Sequence, residues 1–174
     1  MNSKGRHINK IFETEWFTVD AIFSPLVNNK PYYRFSLHDS VSIFAKTIDG
    51  KIILIRQYRP AIESFIIELP SGYVDKGEFP EDAIKRELEE ETGFICDSVN
   101  FLGSLKTVPS RINNTLHVFF GKDAKLSGTK ITEDKDIELI LIAQDEFKKL
   151  IVEGKYIETA GIAIFLLAQL KGYL

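Results

Sequence analysis

The residues in this chain whose spacing most directly indicates chemistry are three glutamates, Glu87, Glu90 and Glu91. On a helix of 3.6 residues per turn, side chains three and four positions apart lie on one face. Like charges at that spacing destabilise a helix by about 0.2–0.5 kcal/mol per pair unless a cation offsets the repulsion. Carboxylate oxygens are also the ligands that hard divalent cations prefer. The pattern therefore indicates either a metal site or a solvated acidic face that is balanced by Lys85 and Arg86.

A longer pattern around these glutamates favours the metal site. Five residues separate Gly72 from Glu78, seven separate Glu78 from Arg86, and residues 86–94 supply the remaining carboxylates, a glycine and two bulky apolar residues. The arrangement resembles the signature of the Nudix hydrolases, Gly-x5-Glu-x7-Arg-Glu-U-x-Glu-Glu-x-Gly-U, in which U is a bulky apolar residue. Every specified position matches. The resemblance implies the Nudix fold, an α+β fold in which helices enclose a mixed β-sheet.

The resemblance also implies a metal site in this segment. It assigns Glu87, Glu90 and Glu91 as metal ligands, together with the backbone carbonyl of Ser71. The expected cation is Mg²⁺, with Mn²⁺ as a substitute. A cation that bridges two phosphates would neutralise their charge and activate a water molecule for attack at phosphorus.

The other signature residues are expected to shape this site. The resemblance places Arg86 and Glu90 in the catalytic group, and Arg86 is expected, together with Glu78, mainly to brace the loop against the helix. Gly72 and Gly93 would bend the chain at the two ends of the motif. The predicted unit is therefore a loop, a helix and a second loop that hold the carboxylates at fixed separations.

Residues on both sides of the signature resemble the ADP-ribose pyrophosphatases and related nucleotide-sugar hydrolases. The segments that carry this likeness are residues 56–60, 68–72, 109, 114–117 and 153–157. The likeness implies hydrolysis of the pyrophosphate bond of a nucleoside diphosphate sugar, which gives a nucleoside monophosphate and a sugar phosphate.

The chain departs from this branch around Pro109. The branch often has Ser-Pro-Gly where this chain has Val108-Pro109-Ser110, and residues 111–114 contain no acid. ADP-ribose, GDP-mannose-like sugars and other nucleotide sugars therefore all stay open as substrates. Hydrolysis of a dinucleoside polyphosphate or a nucleoside triphosphate is a second interpretation. A non-catalytic Nudix sensor that binds ADP-ribose is a third, and the complete set of metal-binding glutamates weighs against it.

Substrate contacts are expected at residues outside the signature. Arg59 is predicted to hold a phosphate, whose geometry a guanidinium matches, or else to pair with Glu68. Trp16 is predicted to stack on the base, with Tyr33 as its counterpart; the alternative is that Trp16 belongs to the core. By resemblance, Glu133 is the general base, unless its acidic run is only a solvated loop.

The elements that must position these residues follow from hydrophobic periodicity. Helical spacing covers residues 81–92, 145–153 and 159–171. Strand-like patterns cover residues 16–23, 32–37, 41–45, 51–57, 65–69, 99–107, 116–121 and 137–142. Residues 1–38 are expected to form an N-terminal antiparallel strand extension that contacts a second copy in a homodimer, and residues 39–174 the Nudix domain. We expect a dimer because the first two predicted strands contain many aromatic residues, more than a small domain readily covers.

Composition limits the partners and the compartment. The formal net charge of −3 gives no reason to expect nucleic acid or an anionic membrane as a partner, so an anionic substrate needs local cations. The single cysteine, Cys96, excludes an intrachain disulfide and is expected to be a small buried residue. His117 is expected to be a core histidine. Residues 162–170, the most apolar segment, are far shorter than the ~20 residues that span a bilayer. A cytoplasmic enzyme is the resulting expectation.

Overall fold

Eleven strands and three α-helices make up the part of the chain that this computed structural model describes, namely residues 6–28, 30–128 and 137–174. The strands are β1 (His7–Glu13), β2 (Phe17–Phe23), β3 (Tyr32–Leu37), β4 (Ser40–Thr47), β5 (Ile52–Arg59), β6 (Ser64–Glu68), β7 (Ser71–Tyr73), β8 (Phe94–Ile95), β9 (Val99–Leu105), β10 (Leu116–Leu126) and β11 (Ile137–Ile142). The helices are α1 (Pro80–Thr92), α2 (Gln144–Val152) and α3 (Thr159–Leu170).

Eight of these strands form one mixed sheet. Its path runs β11-β5-β4-β10-β8, with β6 beside β5, β7 beside β4 and β9 beside β10. The neighbours β4 and β10 are parallel, whereas the other pairs in this sheet are antiparallel. The predicted mixed sheet is therefore confirmed, and its central strand, β4, lies directly beside β7, where the signature begins.

Helices cover both faces of this sheet. Side chains of β4 alternate between the faces: Val41 and Ile43 join the core that includes Ile84 of α1, whereas Phe44 joins the core that includes Phe147 of α2 and residues of α3. Each such side chain contributes about 1.5–3 kcal/mol by its burial. The expected arrangement, a sheet enclosed by helices, is confirmed.

Helix α1 carries the signature carboxylates and covers Pro80–Thr92, one residue more than predicted. Proline suits the first helical position because the N–H that it lacks would have no partner within the helix. Gly93 ends the helix with a φ of 71°, a left-handed conformation that glycine adopts without strain. Ala83, Ile84 and Leu88 are buried against the sheet. The glutamates are therefore left for the other faces of the helix.

Strands β1, β7 and β8 were not predicted, and strand β10 is longer than predicted. Strand β1 was not expected, since all of its seven residues are exposed and its polar sequence shows no alternation. Strand β10 continues to Leu126, beyond the expected end at residue 121, because an irregularity after Gly121 lets it resume and pair with β8. Helices α2 and α3 begin and end within one residue of the prediction. None of the helices in the described ranges is long and apolar enough to cross a membrane.

Strands β1, β2 and β3 form a separate three-stranded antiparallel sheet. This N-terminal sheet joins the rest of the protein through β3, where the N–H of Phe35 donates to the carbonyl of Arg111 at 2.8 Å. Many of its apolar side chains stay exposed, among them Ile11 and Phe12. The strand extension is thus observed, while the domain division at residue 38 and the dimer contact remain predictions.

Candidate active site

The signature opens into a cavity of about 740 Å³ between β4, the β6–β7 connection and the N-terminus of α3. Ser71, just before the signature, and the signature residues Gly72, Arg86, Glu87 and Glu91 line it. Residues from distant parts of the chain complete the lining, including Trp16, Arg59, Glu68, Asn114 and Glu158. The structure therefore brings most of the predicted site residues into one cavity.

The carboxylate of Glu87 lies directly against the backbone of Gly72. A Cβ at position 72 would overlap the Glu87 carboxylate, so only glycine permits this approach. Burial raises the pKa of Glu87, and the neighbouring Arg86 guanidinium, whose NH1 lies 2.8 Å from Glu87 Oε1, acts in the opposite direction. The glycine at the start of the signature therefore leaves room for the Glu87 carboxylate in this position.

Glu91 is the most strongly perturbed carboxylate of the cavity. Burial raises its pKa to about 8, although the backbone N–H of Ser71 donates to its Oε2 at 2.9 Å and lowers the pKa in part. The Glu87 carboxylate raises the pKa further. We call Ser71, Glu87 and Glu91 the acidic wall of the cavity.

Arg86 makes the contacts expected of a brace. Its Nε and NH2 donate to the two oxygens of Glu78 at 3.0 and 3.1 Å, and its NH2 also donates to the carbonyl of Tyr73 at 3.2 Å. The hydrogen bond from Arg86 lowers the pKa of Glu78. The loop is thereby tied to the helix, and the assignment of Arg86 to the catalytic group stays a prediction.

Glu90 is placed differently from the other two glutamates. Its Oε2 accepts from Arg86 NH1 at 3.1 Å, its side chain is 52% exposed, and it is not part of the cavity lining in the described chain. The i, i+4 pair Glu87 and Glu91 therefore faces the cavity, with Glu90 on the flank. All three glutamates were expected to bind the metal. Glu90 could join Glu87 and Glu91 at a bound cation only if its carboxylate moved away from Arg86.

The donor set of the acidic wall fits a divalent cation. Among residues 6–28, 30–128 and 137–174 no three acidic, histidine or cysteine side chains already converge on one point as a metal cluster. Yet Glu87 and Glu91 are partly buried carboxylates with raised pKa values, and Ser71 lines the cavity with them. A bound cation would compensate the desolvation of these groups, and all of the ligands would be the oxygens that Mg²⁺-class ions prefer.

Arg59 both pairs with Glu68 and lines the cavity. Its Nε and NH2 lie 2.8 Å from Glu68 Oε2, which also accepts from Gln57 at 3.0 Å. Burial raises the pKa of Glu68, and Arg59 opposes that shift. The pairing that the sequence left as an alternative is therefore present, and the Arg59 side chain still faces the cavity.

The two aromatic residues that were predicted to contact the base, Trp16 and Tyr33, line different cavities. Trp16 lines the cavity and is 61% exposed, which rules out a core role, and its backbone N–H is held by the hydroxyl of Thr14 at 3.1 Å. We call the Trp16 side of the cavity its rim. Tyr33 instead lines a different cavity, together with Arg111, so it does not face Trp16 across the site. Glu133, the predicted base, lies outside the described residues.

Two residues assigned to the core on sequence have different surroundings. Cys96 is buried and burial raises the pKa of its thiol to about 11, so the prediction of an inert apolar residue is confirmed. His117 is only partly buried; its Nδ1 lies 3.1 Å from Ser104 Oγ and its Nε2 3.7 Å from Asp39. Its polar partners are as expected, but its position at the edge of the core is not.

Asn114 and Glu158 are among the cavity-lining residues that sequence reasoning did not assign to the site. Glu158 caps α3, because its carboxylate accepts from the N–H groups of Ala160 and Gly161. An acidic residue just before an apolar helix is a helix-start signal and could have identified this cap. No comparable local pattern marks Asn114, which comes near only through the pairing of β10 with β4.

Comparison with known proteins agrees with this geometry. The NUDIX domain model matches residues 36–155, so the chain belongs to the Nudix family. It is 32% identical to the methanol dehydrogenase activator of Bacillus methanolicus, over 94% of this chain and 97% of that protein. It is 33% identical to the ADP-ribose pyrophosphatase of Bacillus subtilis, over 71% of this chain and 68% of that protein.

A solved structure shows the same fold. The crystal structure of an ADP compounds hydrolase superposes with a TM-score of 0.79 and covers 97% of this chain and 95% of its own, at 21% identity. At that identity the likeness concerns the fold alone. The predicted family and fold are thereby confirmed, and the chain is a Nudix pyrophosphohydrolase.

Proposed function

We propose that this Nudix enzyme hydrolyses the pyrophosphate bond of a nucleoside diphosphate sugar, such as ADP-ribose, and releases a nucleoside monophosphate and a sugar phosphate. The observation that carries the proposal is one cavity that joins the acidic wall, the Arg59 guanidinium and the exposed indole of Trp16. A nucleotide sugar offers the matching groups, namely a diphosphate and a flat base. Relatives named ADP-ribose pyrophosphatase and GDP-mannose pyrophosphatase support this substrate class.

The charge of the cavity supports a requirement for divalent cations. Its lining includes five acidic side chains and two arginines, and both arginines already contact carboxylates. A diphosphate would be repelled by such a surface unless cations entered with it. Mg²⁺, with Mn²⁺ as a substitute, would be held by Glu87, Glu91, the carbonyl of Ser71 and Glu90. The bound ion supplies charge neutralisation and a more acidic water molecule.

The remaining side chains have separate roles in this proposal. Arg59, oriented by Glu68, binds a phosphate oxygen, and Trp16 stacks on the base at the rim. Arg86 and Glu78 hold the signature loop in place. Glu133 accepts the proton of the attacking water, a role that rests on resemblance and on the acidic run just before β11.

A substrate panel tests the proposal. ADP-ribose, GDP-mannose, UDP-glucose, a diadenosine polyphosphate and a nucleoside triphosphate would each be incubated with Mg²⁺, and the products separated by chromatography. We expect a nucleotide sugar to have the highest kcat/KM and to give a nucleoside monophosphate. A preference for the polyphosphates would support the second interpretation instead. Tight binding of ADP-ribose without turnover would support a sensor.

We also propose that the enzyme is a cytoplasmic homodimer in which the N-terminal sheets meet. The exposed side chains of Ile11, Phe12, Tyr33 and Phe35 on this sheet support an apolar contact between copies. A cytoplasmic location is favoured by the single cysteine, which is buried and cannot form an intrachain disulfide.

A further inference from the structure

The N-terminal sheet is attached to the rest of the protein by the connection between β9 and β10, residues 106–115, which we call the β9–β10 loop. Among the described residues, every hydrogen bond that joins this sheet to the rest of the protein goes to residues 110–113. The N–H of Phe35 donates to the carbonyl of Arg111 at 2.8 Å, and the N–H of Asn113 donates to the carbonyl of Phe35 at 3.2 Å. The placement of the sheet therefore depends on this loop.

Asn113 adds two side-chain hydrogen bonds to this attachment. Its Oδ1 accepts from the N–H of Leu37 at 3.3 Å, and its Nδ2 donates to Ser36 Oγ at 3.1 Å. An asparagine side chain can make both bonds because it carries a carbonyl acceptor and an amino donor on one carbon. Asn113 therefore holds the last two residues of β3 with a single side chain.

The Ser36 hydroxyl extends this contact into the interior of the N-terminal sheet. It donates to Asp20 Oδ2 at 2.6 Å, and the same oxygen accepts from Arg34 Nε at 3.1 Å. Asp20 is buried, and the hydrogen bond from Ser36 lowers the pKa of this carboxyl group. A hydroxyl that accepts one hydrogen bond and donates another to a carboxylate strengthens both bonds. Asn113 is thereby connected to β2 as well as to β3.

Lys106 fixes the loop in the shape that presents Asn113 to β3. Its Nζ donates to the carbonyls of Asn113 and Asn114 at 3.0 and 2.9 Å, and to Thr115 Oγ1 at 2.8 Å. An ammonium group has three N–H donors, so all three are used within the loop. Hydrogen bonds from a charged donor are about twice as strong as neutral ones. Lys106 therefore orients the backbone from which the Asn113 side chain extends.

The end of β3 leads directly to the rim. Leu37 lines the active-site cavity and pairs with Phe17 of β2. The N–H of Phe17 donates to Thr14 Oγ1 at 3.0 Å, and the same hydroxyl accepts from the N–H of Trp16 at 3.1 Å. Trp16 is therefore fixed to the strand pair whose end is held by Asn113.

We propose that Asn113, oriented by Lys106, is a positioning residue that fixes the N-terminal sheet to the rest of the protein and so places Trp16 at the rim of the cavity. The inference rests on the proposed function, since it takes Trp16 as the residue that stacks on the base. It deepens that function by making recognition of the base depend on the β9–β10 loop, which lies outside the Nudix signature.

The first test measures the mobility of Trp16 without substrate. Trp16 is the only tryptophan of the chain, so its fluorescence can be followed selectively. The fast phase of its anisotropy decay reports local motion of the indole on the nanosecond scale. We expect this phase to have a larger amplitude in Asn113→Ala than in the wild type, at a temperature where urea titration shows both proteins fully folded.

Steady-state kinetics of Asn113→Ala provide the second measurement. The variant loses two neutral hydrogen bonds, so we expect the KM for the nucleotide sugar to rise by about fivefold. The kcat should stay within about twofold of the wild type, because the acidic wall makes no contact with Asn113. A general loss of structure would lower kcat as well.

Asn9→Ala is the matched control. Asn9 is an exposed residue of β1 in the same sheet, and its side chain makes no hydrogen bond within the described part of the chain. We expect wild-type anisotropy and KM in this variant.

Lys106→Met tests the loop without altering Asn113 itself. Methionine keeps an unbranched side chain but removes the ammonium group and its three hydrogen bonds. We expect the fast anisotropy phase of Trp16 and the KM to increase in this variant too.

A double variant tests whether Asn113 acts through Trp16. In the Trp16→Ala background the indole is already gone, so adding Asn113→Ala should raise the KM much less than it does in the wild type. An equal increase in both backgrounds would contradict the inference, because the loop would then act on another part of the cavity.

Two further results would overturn the inference. One is an Asn113→Ala variant with wild-type anisotropy and KM, and the other is an equal change in Asn9→Ala. If the wild type hydrolyses no nucleotide sugar, the proposed function fails by itself. The anisotropy comparison needs no substrate and still decides whether Asn113 positions Trp16.

Discussion

The acidic wall and the rim of the cavity are built in different ways. Ser71, Glu87 and Glu91 lie within one continuous stretch of the chain and are partly buried. The N–H of Ser71 donates to Glu91 at 2.9 Å, and Arg86 NH1 donates to Glu87 at 2.8 Å. Trp16 comes from the connection between β1 and β2 and stays largely exposed. We therefore expect catalysis and substrate recognition to depend on different residues of the cavity. Changes at the wall should lower kcat, and changes at the rim should raise KM.

The largest loss of kcat is expected on substitution of Glu133, the proposed general base. Glu133 lies outside the described residues. A general base contributes ~10²–10⁴-fold, so Glu133→Gln should lower kcat within that range, with KM and metal affinity nearly unchanged. Steady-state kinetics would measure this, and the defect should shrink at alkaline pH because hydroxide partly replaces the base.

Asp134→Asn and Asp136→Asn are the controls for Glu133, since they belong to the same acidic run. If all three variants behave alike, Glu133 has no special role. A defect that stays constant with pH would point to misplaced substrate instead of a missing base.

The next effect is expected at two glutamates of the signature, Glu90 and Glu91. Glu91→Gln and Glu90→Gln should each lower kcat by at least ~100-fold at saturating Mg²⁺, because each removes a proposed metal ligand. Near-wild-type turnover in both variants would refute the metal assignment.

The metal-free stability of the Glu91→Gln variant should depend on pH differently from that of the wild type. In the folded state burial raises the pKa of Glu91 to about 8, so folding favours its protonated form. This contribution to stability is fully present below the unfolded pKa, near 4.5, and is lost as the pH rises through about 8. In thermal unfolding with EDTA, Glu91→Gln should therefore gain stability over the wild type as the pH rises. A wild type whose metal-free stability increased over this range relative to Glu91→Gln would contradict the assignment.

The same contrast explains what the sequence could predict. Glu87, Glu91, Gly72 and the Arg86–Glu78 brace lie within one loop and one helix, where spacing fixes geometry. Contacts between distant segments were harder to predict, because strand pairing and helix packing bring these segments together without a local sequence pattern. Asn114 was missed for that reason, whereas Glu158 carried a helix-start signal that was not used. Tyr33, predicted as the counterpart of Trp16, lines a different cavity. Strand β1 was missed because its residues face solvent and lack alternation.

A smaller effect is expected at the rim. Stacking on a base contributes about 1–3 kcal/mol, so Trp16→Ala should raise KM by roughly tenfold and leave kcat within about twofold. Phe12→Ala is the matched control, because Phe12 is an exposed aromatic residue of the N-terminal sheet that is not part of the described cavity lining. A loss of kcat without a change in KM would break the proposed division between wall and rim.

The smallest effect on turnover is expected from the proposed dimer contact. Light scattering of the wild type at micromolar concentration should give the mass of a dimer, and Ile11→Lys should give a monomer, because a charge replaces an exposed apolar side chain of the N-terminal sheet. Lys10→Ala, at the adjacent position, should leave the mass unchanged. A monomeric wild type would refute the dimer.

The most direct test of the central claim is hydrolysis of the best nucleotide sugar in ¹⁸O-labelled water, followed by mass spectrometry of both products. We expect one ¹⁸O atom in the phosphate of either the nucleoside monophosphate or the sugar phosphate, and no turnover when EDTA removes the divalent cation. Label on a sugar hydroxyl, or turnover that persists in EDTA, would contradict it.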